Sequence, residues 1–380
     1  MKGFFSIAIL LTILVSSEKA YSYAQFIAHG YTSCKTCHYN PYGGGPLNDY
    51  GRAVGATAIS GKDLYSKEVT DEQVAKNSKF LGKREISKWI KPFANYRGIV
   101  ITRNFRQADE ESRFLNMVAR LGVSLEFNEK FTFSGSIDYS PVPLGVDDGT
   151  FRSREHYFSY QFSRKWGVLV GFLDKVFGVR IPDHIAYSKQ LTGLAQNDQS
   201  YGLVAYYQSS KWNISFNPFI GNFSVEDNVR QVGASTRVEY EFNPKLRIGA
   251  SFLSSSSDVA DQVNTAFHLK TSFGKGSALL LEVGNSTRSG TNTDVENDNT
   301  YLFSQYYLKI KRGLYLFNTL EFFKNNAVDS DRTWRFGPGI QYFPIQRVEL
   351  RTEIQNTRLI SDERAQEDAW SILSQVNLWF

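Results

Sequence analysis

From Trp89 onward, the sequence repeats segments of about ten residues in which polar and apolar side chains alternate, with turn residues between them. Repetition of this pattern to the end of the chain is typical of transmembrane β-barrels, whose strands have one lipid-facing and one lumen-facing side. The sequence therefore predicts an all-β fold in which residues 89–380 form an antiparallel transmembrane β-barrel. We place about sixteen strands, an even number as in closed bacterial barrels, near 89–105, 113–127, 131–142, 154–163, 167–181, 200–210, 213–223, 229–242, 246–256, 263–273, 277–287, 299–310, 314–325, 332–343, 346–358 and 369–380.

The connections between these segments fall into two classes that alternate along the chain. Every second connection is short and carries Lys or Arg, at 128–130, 163–165, 209–211, 243–245, 274–276, 311–313 and 344–347. The others are mostly longer and acidic, as at 109–111, 147–148, 258–261, 294–298, 329–331 and 362–368. Outer-membrane barrels have short periplasmic turns and long extracellular loops, whereas a soluble β-sandwich needs no such alternation. We therefore expect a porin-like barrel in the bacterial outer membrane, with periplasmic termini and with acidic loops facing lipopolysaccharide.

The predicted strands also have two distinct faces. In one strand Thr236, Val238 and Tyr240 alternate with Arg237 and Glu239, and other strands follow the same rule. Since one face of such a strand meets lipid, the other face should give the lumen its Arg and Glu residues. The aromatic residues, which make up 15% of the chain, then belong largely to the lipid-facing wall.

The N-terminus has the layout of a secretory signal peptide. Lys2 precedes an apolar run over 4–15, and small residues follow up to Ala24. A membrane anchor is the alternative, but the run is too short and charged residues at 18–19 end it. We therefore predict a signal peptide over 1–24, with cleavage after Ala20 as the second choice. Export without a later apolar helix is compatible with the predicted outer-membrane location.

Both cysteines of the chain lie in the sequence Cys34-Lys35-Thr36-Cys37-His38. Cys-x-x-Cys-His is the attachment motif of c-type haem: two thiols at this spacing form thioethers with one porphyrin, and the adjacent imidazole binds the iron. A thioredoxin-like pair needs a βαβ context, a zinc site needs about four ligands, and a plain disulfide leaves His38 unexplained. We therefore predict one covalent haem c, with Cys34 and Cys37 as thioether residues and His38 as the proximal iron ligand.

The residues around this motif predict a small haem-binding segment over 25–88 that acts as a plug or linker. The motif is followed by a loop rich in proline and glycine over 40–46, which is suited to close contact with a cofactor. The carbonyl of Pro41 or of Pro46 is a candidate acceptor for the Nδ1 proton of His38. Further along, Asp63 and Asp71 are candidate caps of short helices.

The second axial ligand of the iron is less well defined by the sequence. Met117 shares strand parity with leucines that should face lipid, so we reject it as a ligand. His268 has inward parity, His156 has lipid-facing parity, and His184 lies in a long loop expected outside the cell. His29, five residues before the motif, is the candidate distal ligand. An open, five-coordinate iron is the alternative.

An export signal, one haem c motif and a barrel in a single chain resemble the fused monohaem cytochrome–porins of the outer membrane, a family used by iron(II)-oxidising bacteria. The architecture matches over nearly the whole chain. The local match runs over 26–51, on Phe26, Ala28, Tyr31, Cys34, Cys37, His38, Pro46, Leu47, Asn48 and Gly51. An insertion rich in glycine over 40–45 places Pro46 further from His38 than the family usually has.

The resemblance implies electron transfer across the outer membrane, between an extracellular donor such as Fe(II) and a periplasmic c-type cytochrome. On this interpretation the chain is an Fe(II):cytochrome c oxidoreductase. Two other functions stay open: a porin-type channel whose haem segment is a structural plug, and a sleeve for a separate multihaem cytochrome. The sequence has no hydrolytic triad or phosphate loop. Its net charge of +5 lies partly in the short turns and in the signal peptide, so we expect no nucleic-acid partner.

Overall fold

The structure is a computed structural model. It describes residues 26–27, 29, 34–82, 87–105, 107, 109–140, 150–181, 183, 185–195, 198–274, 276–291, 296–325, 331–361 and 367–380. The predicted signal peptide, Ala28, Tyr31, His184 and most residues of the acidic connections at 147–148, 294–298, 329–331 and 362–368 lie outside these ranges.

In the described part of the chain, sixteen antiparallel strands form one closed barrel in which each strand pairs with its neighbours in sequence and β1 pairs with β16. The predicted all-β barrel is confirmed. The strands are β1 (Ile90–Arg103), β2 (Glu111–Glu126), β3 (Phe131–Ser140), β4 (Thr150–Gln161), β5 (Trp166–Leu173), β6 (Ser200–Gln208), β7 (Trp212–Gly221), β8 (Val232–Asn243), β9 (Leu246–Ser256), β10 (Ala260–Phe273), β11 (Ser277–Gly290), β12 (Glu296–Lys311), β13 (Leu314–Asn325), β14 (Arg332–Tyr342), β15 (Val348–Ile360) and β16 (Glu367–Trp379).

Two predicted boundaries are wrong in an informative way. The fifth strand was predicted over 167–181, but β5 ends at Leu173 and the chain then turns into the lumen. The connection near Asp258 was predicted to be long, but β10 begins at Ala260, so only residues 257–259 join it to β9. The predicted short turns all lie at one end of the barrel, which we call the short-turn end and which is the predicted periplasmic end.

The two faces of the wall follow the predicted alternation. Phe252 and Phe267 are exposed on the outside, whereas Arg237 and Glu239 are buried in the lumen. An apolar outer wall with a polar interior is the arrangement that lipid requires of a closed barrel, because every backbone group is paired within the sheet. The described residues include no helix that is both long enough and apolar enough to cross a membrane.

Met117 is an exception to the predicted facing. The pairing of β1 with β2 shifts between Arg97 and Gly98, which lie opposite Val118 and Asn116, so that Met117 is the extra residue of a bulge. Such a bulge changes the direction of the local side chains. Met117 consequently lines a small internal cavity together with Asp183 and Arg351 instead of facing lipid.

Residues 34–82, the N-terminal segment, occupy the lumen and cover the short-turn end. It contains helix α1 (Asp49–Val54), a π-helical turn over Gly55–Ile59 and helix α2 (Asp71–Lys76). Asn48 caps α1 by accepting from the backbone N–H of Gly51, at 2.8 Å. Thr70 caps α2 in a capping box with Gln73. The two predicted caps are therefore wrong: Asp71 is the first residue of α2, and Asp63 instead contacts the rim residues Lys311 and Tyr342.

Residues 174–199, the inward loop, join β5 to β6 through the interior of the barrel and contain the short helix α3 (Tyr187–Gln190). Its backbone is held by inward-facing side chains of the wall. Gly178 donates to Ser251 Oγ at 3.0 Å, and Tyr187 donates its N–H to Glu321 at 2.8 Å. Asp183 forms an ion pair with Arg351. The lumen is thus filled by two pieces of the same chain, one from each end.

Candidate functional site

The Cys-x-x-Cys-His motif forms a single helical turn. Residues Cys34–Thr36 form a turn of 3₁₀-helix, and the carbonyl of Cys34 accepts from the backbone N–H of both Cys37, at 3.1 Å, and His38, at 2.9 Å. Both thiols are free and buried. A single turn therefore carries the two sulfurs and the imidazole, which is the placement that attachment to one porphyrin needs.

The glycines after the motif allow the chain to fold tightly back over it. Gly43, Gly44 and Gly45 all have positive φ, at 93°, 75° and 61°, which other residues rarely adopt. A Cβ on Gly43 would lie 3.2 Å from the sulfur of Cys34, and one on Gly44 would collide with the guanidinium of Arg180. The glycine insertion thus lets the loop lie between the motif and the inward loop.

Other contacts fix the motif to the segment and to the wall. His38 and Leu47 form an isolated antiparallel bridge, and Asn48 donates its N–H to the carbonyl of Cys37 at 2.9 Å. Gly51 packs directly on Cys37, because a Cβ there would lie 2.4 Å from the Cys37 carbonyl oxygen. Tyr39 donates its hydroxyl to Glu126 at 2.5 Å. The motif is therefore held in one place within the lumen.

A cavity of about 390 Å³ opens beside the motif. This is within the range of about 300–1,000 Å³ that small-molecule and cofactor sites occupy. The N-terminal segment, the wall and the inward loop all contribute to its lining, which includes Cys34, His38, Tyr42, Pro46, Ile59, Phe93, Val118, Arg180, Leu194, Arg237, Leu280 and Trp379. Cys37 lies under α1 and is not part of the lining. The cavity joins apolar surface to cationic side chains, as an amphiphilic cofactor would require.

The imidazole of His38 is partly buried, faces this cavity, and has an unsatisfied nitrogen. Nδ1 is buried without a hydrogen-bond partner among the described residues. Burial and the guanidinium of Arg180 lower the pKa of His38 to about 4, although the nearby backbone of Pro46 opposes them. The ring is therefore neutral at pH 7, the form that binds iron.

Neither predicted proline acceptor takes a proton from Nδ1 of His38. The Pro41 carbonyl accepts from Gln208 at 3.3 Å, and the Pro46 carbonyl accepts from the backbone N–H of Tyr39 at 3.4 Å. Of the two, only Pro46 lies beside the imidazole.

The cysteines and the cavity also fit a covalently attached haem. Burial and the neighbouring Cys34 raise the pKa of the Cys37 thiol to about 12, so it stays protonated and unreactive toward oxidants at neutral pH. Two buried free thiols in one turn, a neutral imidazole and an adjacent cavity lined by Cys34 and His38 are what the predicted group needs. The residues present therefore fit haem c, in which Cys34 and Cys37 would hold the porphyrin and His38 would bind the iron.

His29, the candidate distal ligand, lies at a different place. Its Nε2 is 3.3 Å from Nζ of Lys309 near the short-turn end, and it is not part of the cavity lining. Burial, then Lys309, then Arg312 lower the pKa of His29 to about 4. Its role as an iron ligand stays a prediction, which the position beside Lys309 does not favour. His268 is inward-facing as predicted and is hydrogen-bonded to Glu239 at 2.9 Å.

Three residues that line the cavity beside the motif were not predicted from the sequence to belong to the site. The guanidinium groups of Arg180 and Arg237 both lie over the ring of Tyr42, with their carbons 5.3 Å and 4.3 Å from its centre. Tyr42 also accepts from the N–H of Phe177 at 3.0 Å, which joins the N-terminal segment to the inward loop. Arg237 was predicted to face the lumen, but nothing in one sequence pairs it with Tyr42.

Among the described residues, no group of three or more His, Cys, Asp or Glu side chains could hold a metal ion.

Comparison with known proteins concerns the barrel. No protein-family model matches the chain, and no curated protein matches it. Among solved structures, a loop-deletion mutant of OmpT from Vibrio cholerae matches with a TM-score of 0.61 at 13% identity, over 77% of this chain and 99% of that chain. The channel DcaP of Acinetobacter baumannii matches with a TM-score of 0.59 at 12% identity, covering 77% and 97%. An anion-selective porin from Comamonas acidovorans gives 0.58 at 11%, covering 77% and 99%.

The barrel has the fold of bacterial outer-membrane porins. A closed barrel with this fold and an apolar outer wall belongs in the bacterial outer membrane, which confirms the predicted location. At these identities the likeness extends to the fold and not to what the relatives transport.

Proposed function

We propose that this porin-like barrel is an electron-transfer protein, a monohaem c-type cytochrome fused to its own outer-membrane barrel. The observation that supports this most directly is the single helical turn that places Cys34 and His38 at a cavity of about 390 Å³ in the lumen, with Cys37 in the same turn. When bound, haem c supplies a one-electron carrier whose potential depends on its ligands and surroundings.

The chain's own residues have defined tasks in this proposal. Cys34 and Cys37 hold the porphyrin, and His38 binds the iron in its neutral form. The inward loop and the N-terminal segment meet at Tyr42 and Phe177, and we propose that together they limit the access of bulk water to the site. Exclusion of water strengthens the electrostatic effect of nearby charges on the cofactor.

The position of the site inside the barrel suits transfer between two compartments. The inward loop covers it from the long-loop end, and the N-terminal segment covers it from the short-turn end. We propose Fe(II) as the extracellular donor, on the resemblance to cytochrome–porins. One electron leaves Fe(II), giving Fe(III), and one periplasmic c-type cytochrome is reduced.

The second candidate function is a porin-type channel whose N-terminal segment is a structural plug. The porin fold of the barrel favours it. The filling of the lumen by residues 34–82 and 174–199 argues against free passage of solutes, because ion pairs and apolar clusters join both pieces to the wall. The same filling argues against a sleeve for a separate multihaem cytochrome.

Haem content, redox response and solute flux separate these functions. The protein is purified from a host that attaches haem c, its haem per chain is measured, and Fe(II) is added under anaerobic conditions. We expect one haem per chain, a ferrous spectrum after Fe(II), and no flux of small solutes in liposomes. Absence of covalent haem would contradict the electron-transfer function, and solute flux without reduction would favour the channel. If haem is present but Fe(II) fails to reduce it at every pH tested, another donor is required.

A further inference from the structure

The cavity beside the motif has a strong excess of positive charge. Ten of the described side chains that line it are Arg or Lys, and three are Asp or Glu. A buried charge is stable only when a group of opposite sign or several hydrogen bonds compensate it. Some of these cations are compensated by carboxylates outside the lining, as Arg120 is by Asp138 and Lys270 by Glu239. The cations that are least compensated therefore indicate where an anion would bind.

Arg237 on β8 is the least compensated of these cations. Its side chain is 1% exposed, and Nε, Nη1 and Nη2 all lack a hydrogen-bond partner among the described residues. Its nearest carboxylate is Glu239, at 3.9 Å. Glu239 is already engaged by Lys270 at 2.5 Å and by His268 at 2.9 Å. Arg237 thus lines the cavity with a buried guanidinium whose three nitrogens make no hydrogen bond and whose one nearby carboxylate is shared with other groups.

The positive charge of Arg180, in the inward loop, is better compensated than that of Arg237. It is paired with Asp174 and, at 3.3 Å, with Glu155. Only its Nη1 is buried without a partner. Both guanidinium groups lie over the ring of Tyr42, which follows the motif in the chain. Both arginines therefore line the same cavity as His38, and each has donors without a hydrogen-bond partner.

The geometry points to Arg237, assisted by Nη1 of Arg180, as the binding site for a carboxylate of the cofactor, namely a haem propionate. This inference rests on the proposed function. A planar guanidinium with free donors matches a carboxylate in shape and charge, and such bonds are about twice as strong as neutral ones. Haem carries its carboxylates on one edge, whereas the rest of its surface is apolar. The cavity lining also combines both kinds of surface, since Arg180 and Arg237 lie beside Tyr42 and apolar residues such as Ile59 and Leu280 line it as well.

The matched control is Arg335 on β14. It also stacks on a tyrosine, Tyr187, at 4.4 Å from the ring centre, and it also faces the lumen. Unlike Arg237 it is hydrogen-bonded, since Nε donates to Glu321 at 2.5 Å and Nη2 donates to the Ile185 carbonyl at 2.9 Å. It does not line the cavity beside the motif. The variants Arg237→Gln and Arg335→Gln therefore remove the same charge from two tyrosine-stacked positions.

The test uses the haem-loaded, full-length protein. Its haem is made from δ-aminolevulinate that carries a heavy carbon isotope in the carboxyl group, so that infrared redox difference spectra identify the propionate bands. We expect these bands to shift in Arg237→Gln and to stay in place in Arg335→Gln. The midpoint potential should fall in Arg237→Gln, because loss of a nearby cation favours the oxidised haem. Arg237→Lys should retain most of the potential while it still shifts the bands.

The outcomes separate this inference from the proposed function. Haem with identical propionate bands in both Gln variants would overturn the inference and leave the proposed function standing. Absence of haem from the unmodified protein would overturn both. If a free anion fills the site instead, the potential of the unmodified protein will change between chloride and acetate buffers, which also overturns the inference. Heat-modifiable migration in gels checks that each variant forms the barrel, and Arg237→Lys provides the test if Arg237→Gln does not fold.

Discussion

The wall of this barrel and the material inside it are held by different interactions. The wall is a continuous ladder of backbone hydrogen bonds between strands that are neighbours in sequence, as between β10 and β11. The interior is held by side chains that reach backbone groups far away in sequence. Arg312, for example, donates to the carbonyl of Ser60 at 2.7 Å and to that of Ala56 at 3.1 Å.

This difference separates stability from function. Regular pairing and an apolar outer face specify the wall whatever the lumen contains. The interior contributes the motif, the cavity and the unpaired cations, and apolar clusters such as Ile59, Val179 and Leu280 join it to the wall. Changes inside the lumen should therefore alter the cofactor and its properties while the barrel still forms.

Removal of both thiols is the most direct test of whether the wall forms independently of the interior. In Cys34→Ser/Cys37→Ser, we expect complete loss of covalent haem, because no other described residue offers a thiol. The barrel should still form, since neither residue lies in a strand. Haem-stained gels measure the first effect and heat-modifiable migration measures the second. A variant that keeps covalent haem would refute the site, and one that fails to form a barrel would refute the independence of the wall.

Breaking an ion pair on the inner face of the wall should cause the largest loss in the free energy of unfolding. Arg120 on β2 makes two hydrogen bonds to Asp138 on β3, at 2.6 Å and 2.7 Å, and both side chains are largely buried. Arg120→Met leaves a buried carboxylate without its partner, which costs about 3–5 kcal/mol. The double variant Arg120→Met/Asp138→Leu should be close to neutral. Urea unfolding in lipid vesicles measures both, and equal losses would show that the pair itself is the source of stability.

Charged substitutions on the outer face should lower the free energy of unfolding by less, and by an amount that depends on their depth in the membrane. Phe267 is 70% exposed and lies near the middle of β10. Phe267→Arg should cost about 2–4 kcal/mol, as a charge at the bilayer midplane does, whereas Val259→Arg at the strand end should cost about 0–1 kcal/mol. The same unfolding measurement applies. Equal costs at the two positions would mean that Phe267 does not face the lipid core.

The contrast between wall and interior also explains what the sequence could predict. Strand number and facing follow from a local rule of period two, so Arg237 and Glu239 were placed correctly in the lumen from their neighbours alone. The rule failed at Met117, where a bulge adds one residue to β2. It also failed after Leu173, although the charged pair Asp174-Lys175 breaks the alternation there and could have shown where β5 ends.

The interior was predictable only where covalent chemistry dictates spacing. Cys34, Cys37 and His38 are recognisable because one porphyrin and one iron require them at fixed separations. Tyr42, Arg180 and Arg237 come from three distant parts of the chain, and a single sequence carries no sign that they meet. The cap Thr70 was missed in favour of Asp71 because both residues are common at helix starts.

The weakest contacts of the interior should respond to pH before the wall does. Asp63 accepts hydrogen bonds from Tyr342 and Lys311 of the rim, and these lower its pKa below the ordinary carboxyl value. A lowered pKa means that the contact contributes fully above the ordinary pKa of about 4, and that its contribution is lost as the pH falls through the depressed value. Asp71, bound by Arg312 and Lys62, behaves in the same way.

Hydrogen exchange of residues 60–76 measures this release. We expect protection of this stretch to fall between pH 6 and pH 3, by a small amount because both carboxylates are largely exposed, while protection of β10 stays constant. Asp63→Asn should reduce the pH dependence and give low protection at both pH values. If the stretch exchanges equally at both pH values in the unmodified protein, the apolar cluster around Ile59 holds the segment and the rim contacts add nothing. The interior would then depend on the same hydrophobic burial as a soluble core, whereas the wall depends on its ladder.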